Sequence, residues 1–291
     1  MSGSSLSDLK RLREQTSAGL ASCKKALKEA GGDYDKAVAL VEKMGHEIAA
    51  KKSGREASDG FIAAKSDGKF AVMIELNCET DFVARNEKFQ VYAQKVLDIA
   101  HAERVRSKDE LLGLSAEDGT FVSDMIVQMI SVFRENIVLS RLTFELAQDN
   151  EVVGCYVHNK YTEDLGKFGV LTKIASAADP ASLQSVAKSV CIQVMSGGAI
   201  AVSAQDLDDA VVQAQKDKYT EEIKGKPQNI AEKIIAGKLK KFYKECVLLE
   251  QDFYADSEKS VDQYLKEQSK KLGHEIKVCS YKAFKLGITN E

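Results

Sequence analysis

Tryptophan is absent from the 291 residues, and proline occurs only twice. Scarce proline suits long helices, because each interior proline costs ~3 kcal/mol. No run of apolar residues nears the ~20 that a bilayer-crossing helix needs, so no membrane contact is expected. The opening Met1-Ser2-Gly3-Ser4-Ser5 has no apolar signal core, and Asp8 and Glu14 come early for a transit peptide. The expected location is therefore cytoplasmic. A charge excess of one sign is also missing: 41 basic and 44 acidic side chains leave −3. Gripping nucleic acid requires many phosphates to be neutralised, so this balance argues against nucleic acid as the partner. A local basic patch remains compatible with it.

The signatures of catalysis are equally scarce. The chain has no G-x-x-x-x-G-K-[ST] loop, so direct nucleotide binding by that route is not expected. It also lacks G-x-G-x-x-G, H-E-x-x-H and G-x-S-x-G. The four histidines (His46, His101, His158, His274) stand apart from one another. The six cysteines (Cys23, Cys78, Cys155, Cys191, Cys246, Cys279) form no C-x-x-C pair and read as small core residues in a reducing compartment. No catalytic residue, cofactor or metal ligand is assigned, and the protein is expected not to be an enzyme.

What is present is an ordinary globular composition, 44% hydrophobic and 29% charged, long enough for two or three compact units. Residues 1–45 read as three short helices forming a docking bundle. Leu9 and Leu12 mark the first, and Leu20, Cys23, Leu27 and Ala30 the second. Gly31-Gly32 stops the second and Asp33 caps the third, which carries Ala37, Val38, Val41 and Met44 and is expected to end at Gly45. Residues 46–59 make a polar, basic, helical or partly ordered linker.

A repeat follows. Strand-like runs at 60–64 and 70–76, joined by Ser66-Asp67-Gly68, precede a helix bearing Phe89, Tyr92, Val96 and Ala100. About a hundred residues later, runs at 152–157 and 168–174 precede a helix bearing Val186, Val190 and Val194. Gly68-Lys69-Phe70 and Gly166-Lys167-Phe168 occupy matching places. The class is therefore α+β, with a central body of two repeated halves built on antiparallel sheets: 60–149, and 150–204 with 250–291. Residues 121–149 are expected to form one more helix through Phe121, Met125, Met129 and Phe133. Residues 205–249 read as a helical hairpin. Its first arm runs from Leu207 to Gly225, and its second opens at Pro227 and carries Ile235, Leu239, Phe242, Cys246 and Leu249 at heptad spacing. Two arms of about 20 residues would project ~30 Å. A packed core pair is the alternative.

One segment stands out: Cys78-Glu79-Thr80-Asp81-Phe82-Val83-Ala84-Arg85-Asn86, between a strand and a helix. It supports two readings. In the plain one, Thr80 or Asp81 caps a helix, Asp81 pairs with Arg85 one turn on, and Phe82 and Val83 enter the core. In the other, an aromatic bracketed by an acid and a base is presented to a partner.

At this segment the chain resembles the translation elongation factor Ts family, exchange factors for elongation factor Tu. The hallmark T-D-F-V-A-[RK]-N run is present without gaps over residues 80–86. Further likeness lies in Leu12-Arg13-Glu14-Gln15-Thr16-Ser17-Ala18-Gly19-Leu20, in Cys23-Lys24-Lys25-Ala26-Leu27, in the linker over residues 49–55, and in Lys226-Pro227-Gln228-Asn229-Ile230. The family pattern has Gly where Ser17 stands, and a residue at positive φ is less comfortable there as Ser. It has Pro where Asp252 stands, and the C-terminal extension of some members is expected to be missing. The resemblance implies a UBA-like N-terminal bundle, a protruding coiled-coil arm, and GDP-bound elongation factor Tu as partner. Thr80, Asp81, Phe82 and Val83 would enter beside the partner's Mg²⁺, supported by Ala84, Arg85 and Asn86. Arg13, Thr16, Ala18, Gly19 and Leu20 would dock the bundle. An interaction module without exchange activity is the alternative, and the hairpin could pair with its own copy to form a homodimer. The basic cluster of Lys10, Arg11, Arg13, Lys24, Lys25 and Lys28 reads as a solvated face or as a complement to an acidic helix.

Overall fold

The computed structural model describes residues 6–225 and 227–288. The expectations placed on residues 1–5, on Lys226 and on residues 289–291 lie outside the described residues. Helices α1 (Leu6–Thr16), α2 (Leu20–Glu29) and α3 (Tyr34–Lys52) form the N-terminal bundle around Leu12, Cys23, Ala26, Leu27, Ala37 and Val41. Gly31 and Gly32 turn the chain at φ of +65° and +90°, and the Asp33 carboxylate accepts from the Lys36 amide at 3.1 Å. Ser17 takes φ +53°, the left-handed conformation that favours glycine.

The chain continues through β1 (Asp59–Ser66), β2 (Phe70–Cys78), the one-turn α4 (Asp81–Ala84), α5 (Glu87–Ala102), α6 (Lys108–Leu112), α7 (Val122–Phe133) and β3 (Ile137–Leu146). Two expectations are corrected here. Residues 121–149 are not one helix. Arg134 adopts φ +60° and stops α7, and residues 137–146 form a strand paired with β2 from Phe70↔Leu146 to Cys78↔Ile137. Nor does α3 end at Gly45; it runs on to Lys52. Gly45 is where α3 passes close to α7, and a Cβ there would lie 3.3 Å from Val127 Cγ1. This glycine permits a close approach and does not act as a stop.

The second half holds β4 (Glu151–His158), β5 (Leu165–Gly166), β6 (Phe168–Ala175) and α8 (Pro180–Gly197). A 3-10 turn (Ala204–Asp206) then leads into α9 (Asp209–Glu222) and α10 (Gln228–Cys246). A second 3-10 turn (Leu248–Glu250), β7 (Asp252–Phe253), β8 (Asp256–Ser260), α11 (Val261–Leu272) and β9 (Lys277–Lys285) complete the described chain. The sheets have strand orders β3-β2-β1-β5, β4-β6-β9 and β7-β8, and every pairing of named strands is antiparallel.

The sheets explain the unbroken hydrophobic reading of β2. Phe70, Val72, Ile74 and Leu76 face α5 and α7, whereas Ala71 and Met73 face Ile62, Val153, Val157 and Leu171 in the layer between the sheets. Gly169 lets those sheets meet, since a Cβ there would lie 2.5 Å from Ile62 Cγ2. Leu165 and Gly166, from the second half's turn, pair with Ala63 and Ile62 of β1 and tie the halves together. The one carboxylate on β2, Glu75, is buried and pairs with Arg141 of β3, which compensates its desolvation.

In the hairpin, α9 is shorter than expected. Its 14 residues span ~21 Å against ~28 Å for the 19 of α10. Lys238 bridges the arms, pairing with Glu222 and lying over the Tyr219 ring. The heptad pattern breaks off at Cys246, because Leu249 sits in the following 3-10 turn. Of the six cysteines, Cys279 departs from the core assignment and is exposed on β9. Among the described residues, no helix is long and apolar enough to cross a membrane.

Candidate partner-contact site

The eight residues between β2 and α5 follow a strand whose residues are buried throughout. Thr80 is extended (φ −133°, ψ 154°), and one turn of helix comes next. Successive helical residues point ~100° apart, so burying Val83 and Ala84 turns the preceding side chain outward. Val83 is 8% exposed, Ala84 fully buried, and Phe82 82% exposed. Phe82 is thus not a core residue; Val83 alone takes that part of the plain reading. Asp81 pairs with Arg85 at 3.3 Å on the exposed side. Asn86 caps α5, accepting from the Lys88 amide at 3.0 Å, and Phe89 then stacks on Phe61 at 5.2 Å.

Thr80 does not cap α4 with its side chain. Its hydroxyl donates instead to Glu135 Oε1 at 2.6 Å, and its amide donates to Glu135 Oε2 at 3.0 Å. Next to it the bonding runs the other way. The Asn136 amide donates to Glu79 Oε1 at 2.7 Å, and Asn136 Nδ2 donates to the Arg55 carbonyl at 2.7 Å. Arg55 returns to Glu79 Oε2 at 3.4 Å. The Asn136 amide, helped by Arg55, holds the Glu79 carboxyl below its ordinary range. Burial, with Glu135 and Asp59 nearby, pushes the Cys78 thiol up to about 12, so Cys78 is an inert thiol at neutral pH. Of these partners of the exposed turn, Glu135 and Asn136 were not singled out from the sequence. Their only local signal is an acid and an amide directly after a helix end.

In the bundle, Leu20 is 53% exposed and Arg13 and Gly19 are exposed beside it, whereas Ala18 and Thr16 are buried. The Thr16 hydroxyl donates to the Leu12 carbonyl at 2.7 Å. Arg13, Ser17 and Gly19 share a groove with Lys88, Val91 and Tyr92 of α5, so the bundle's first loop flanks the helix that follows the exposed turn. In the basic cluster, Lys10 and Lys25 each face an acid four residues on, at 3.8 Å, and Arg11 lies 4.2 Å over the Tyr34 ring. Among the described residues, no three His, Cys, Asp or Glu side chains gather as a metal site.

By architecture this is an α+β protein of two related sheet-and-helix halves with helical appendages. Comparison with known proteins narrows that class. The family model described as Elongation factor TS matches residues 79–288. The Elongation factor Ts of Neorickettsia sennetsu (strain ATCC VR-367 / Miyayama) is 50% identical over 288 residues, 99% of each chain. That of Rickettsia peacockii (strain Rustic) is 40% identical over 283 residues, covering 96% of this chain and 90% of its own. That of Rickettsia massiliae (strain Mtu5) is 38% identical over 282 residues, with the same coverage. The chain belongs to the elongation factor Ts family.

Proposed function

We propose that this protein is a guanine-nucleotide exchange factor of translation elongation, acting in the cytoplasm by binding and not by catalysing a reaction of its own. It engages elongation factor Tu carrying GDP, loosens the nucleotide site, and leaves when GTP enters. Asp81 disturbs the network that positions the partner's Mg²⁺, whose octahedral shell tolerates little distortion. Phe82 wedges into an apolar gap beside it. Thr80 aims the turn, and Val83, buried and so not free for the partner contact expected of it, anchors the turn from inside. Ala84, Arg85 and Asn86 support it. The loop of Arg13, Gly19 and Leu20, shaped from inside by Thr16 and Ala18, docks the bundle.

The observation that carries this reading is the outward Phe82 on a turn whose next two residues are buried. A wedge must be available before contact and must not collapse into its own core. Magnitudes limit what it does alone. A ~10⁴-fold faster release needs about 5–6 kcal/mol, and burying one Phe supplies roughly 1.5–3 kcal/mol. Loosening of the metal and phosphate contacts contributes the remainder. Linkage requires that GDP weaken this protein's binding by the same factor.

The test is release of fluorescent GDP from elongation factor Tu with catalytic amounts of the protein. Acceleration is expected, and its absence sinks the reading in favour of a plain interaction module. Phe82→Ala is expected to slow release at least about tenfold while shifting stability by no more than ~0.5 kcal/mol, as for other exposed positions. An unchanged rate removes Phe82 from its role.

A further inference from the structure

The exposed turn at residues 80–83 is held by a carboxylate 55 positions away in sequence, and the geometry of that hold is specific. Glu135 receives two hydrogen bonds from one residue, the amide and the hydroxyl of Thr80, at 3.0 and 2.6 Å. Thr80 is the last extended residue before the turn, so its orientation sets the direction in which Asp81 and Phe82 leave the body. The Thr80 carbonyl is engaged as well, accepting from the Cys78 thiol at 3.1 Å and from the Ala84 amide at 3.3 Å. The backbone on which Phe82 rides is therefore fixed through donors and acceptor alike. Glu135 is itself aimed by α7. Phe133 in the last turn of that helix packs edge-on against Phe89 at 5.7 Å, and the left-handed Arg134 then swings the chain toward β2. The next residue, Asn136, ties Glu79 and the Arg55 carbonyl into the same assembly.

Resting on the exchange reading above, we propose that Glu135 is the positioning residue of the exchange site. Its carboxylate preorganises the Thr80–Phe82 turn so that Phe82 arrives at the partner already oriented. Charged acceptors bind amides and hydroxyls about twice as strongly as neutral ones, and a turn left to wander by ~1 Å forfeits up to ~10²-fold in rate. Glu135 bonds Thr80 behind the turn and not the presented Phe82, so its loss is expected to act on the rate in the bound complex and to leave assembly with the partner largely intact. Glu79 and Asn136 extend the hold to the segment after α3. The bundle that docks and the turn that wedges are thereby stitched to the same point.

The experiment compares Glu135→Ala and Glu135→Gln with the unaltered full chain. Glutamine keeps the shape, but its amide group cannot accept, so one of the two Thr80 bonds is lost. Amide hydrogen exchange over residues 80–86, read on the protein alone, is expected to speed up at least about tenfold in the alanine variant and less in the glutamine variant. Unchanged protection in both overturns the clamp. In the GDP-release assay, the maximal rate is expected to fall about tenfold with the half-saturating concentration within about twofold. A normal maximal rate with weakened half-saturation overturns the positioning role. Should the alanine variant fail to fold, the glutamine variant decides. Phe82→Ala run in parallel separates the two ideas. If it leaves release unchanged, the exchange reading of the turn fails, and with it the positioning role, whatever the protection data say of the clamp. If it slows release while Glu135 variants do not, the positioning role alone fails.

Discussion

The two halves of the central body use the same sequence of elements, strand-turn-strand-connection-helix, yet differ where strand meets helix. In the first half, eight residues separate β2 from α5, and they expose Phe82. In the second, four residues separate β6 from α8, and they alternate between buried and exposed with no large apolar side chain presented. Ser176 and Ala178 are buried, the Ser176 hydroxyl accepts from the Ala178 amide at 3.2 Å, and Asp179 caps α8 by accepting from the Ser182 amide at 3.0 Å. Both helices are thus started by the same device, an acceptor side chain at the N-cap. The inserted turn and the Glu135 hold are what the first half has in addition. A repeat can keep one copy for stability and open the other for contact, provided the opened copy is braced from outside its own connection.

The largest way to challenge that contrast is Phe89→Ala. Phe89 lies seven residues after Phe82 but is fully buried between Phe61 and Phe133. Its loss is expected to destabilise by about 3–5 kcal/mol in denaturant unfolding, against almost nothing for Phe82. Similar losses for the two phenylalanines contradict the claim that one is core and the other presented. A smaller effect is expected from Ala178→Phe, which puts an aromatic into the closed connection. Overpacking there is expected to lower stability by about 1–3 kcal/mol, and a neutral result means the second connection is as open as the first. Smallest are the caps. Asn86→Ala and Asp179→Ala are each expected to lower the unfolding free energy by about 1 kcal/mol, and a marked inequality shows that the two helix starts are not equivalent.

Much of this arrangement was legible along the chain. The glycine pair before Asp33 and the strand-like runs that became β1, β2, β4 and β6 are local signals, and the structure follows them. The errors have physical causes. Met125, Met129 and Phe133 keep a helical spacing that invites extension, and only the left-handed Arg134 interrupts it. The strand character of residues 137–146 depends on pairing with β2, a partner some 60 residues earlier, as Leu76↔Leu139 illustrates. Gly45 has the look of a helix stop because sequence does not reveal that α7 passes against it.

The same division holds for the site. Residues 80–86 and their order, the left-handed demand at Ser17, and the family itself are carried by local chemistry and spacing. Whether Phe82 faced solvent or core was undecided by sequence, since an aromatic in a strand-to-helix connection suits either. Tertiary structure decided it. Burial of Val83 and Ala84 against the first sheet consumes the inner side of the turn, and Glu135, delivered by a distant helix end, fixes the backbone so that the outer side stays outward. Hydrogen bonds and burial between residues far apart in the chain leave no periodicity to read, so that part of the protein exists only once the chain has folded.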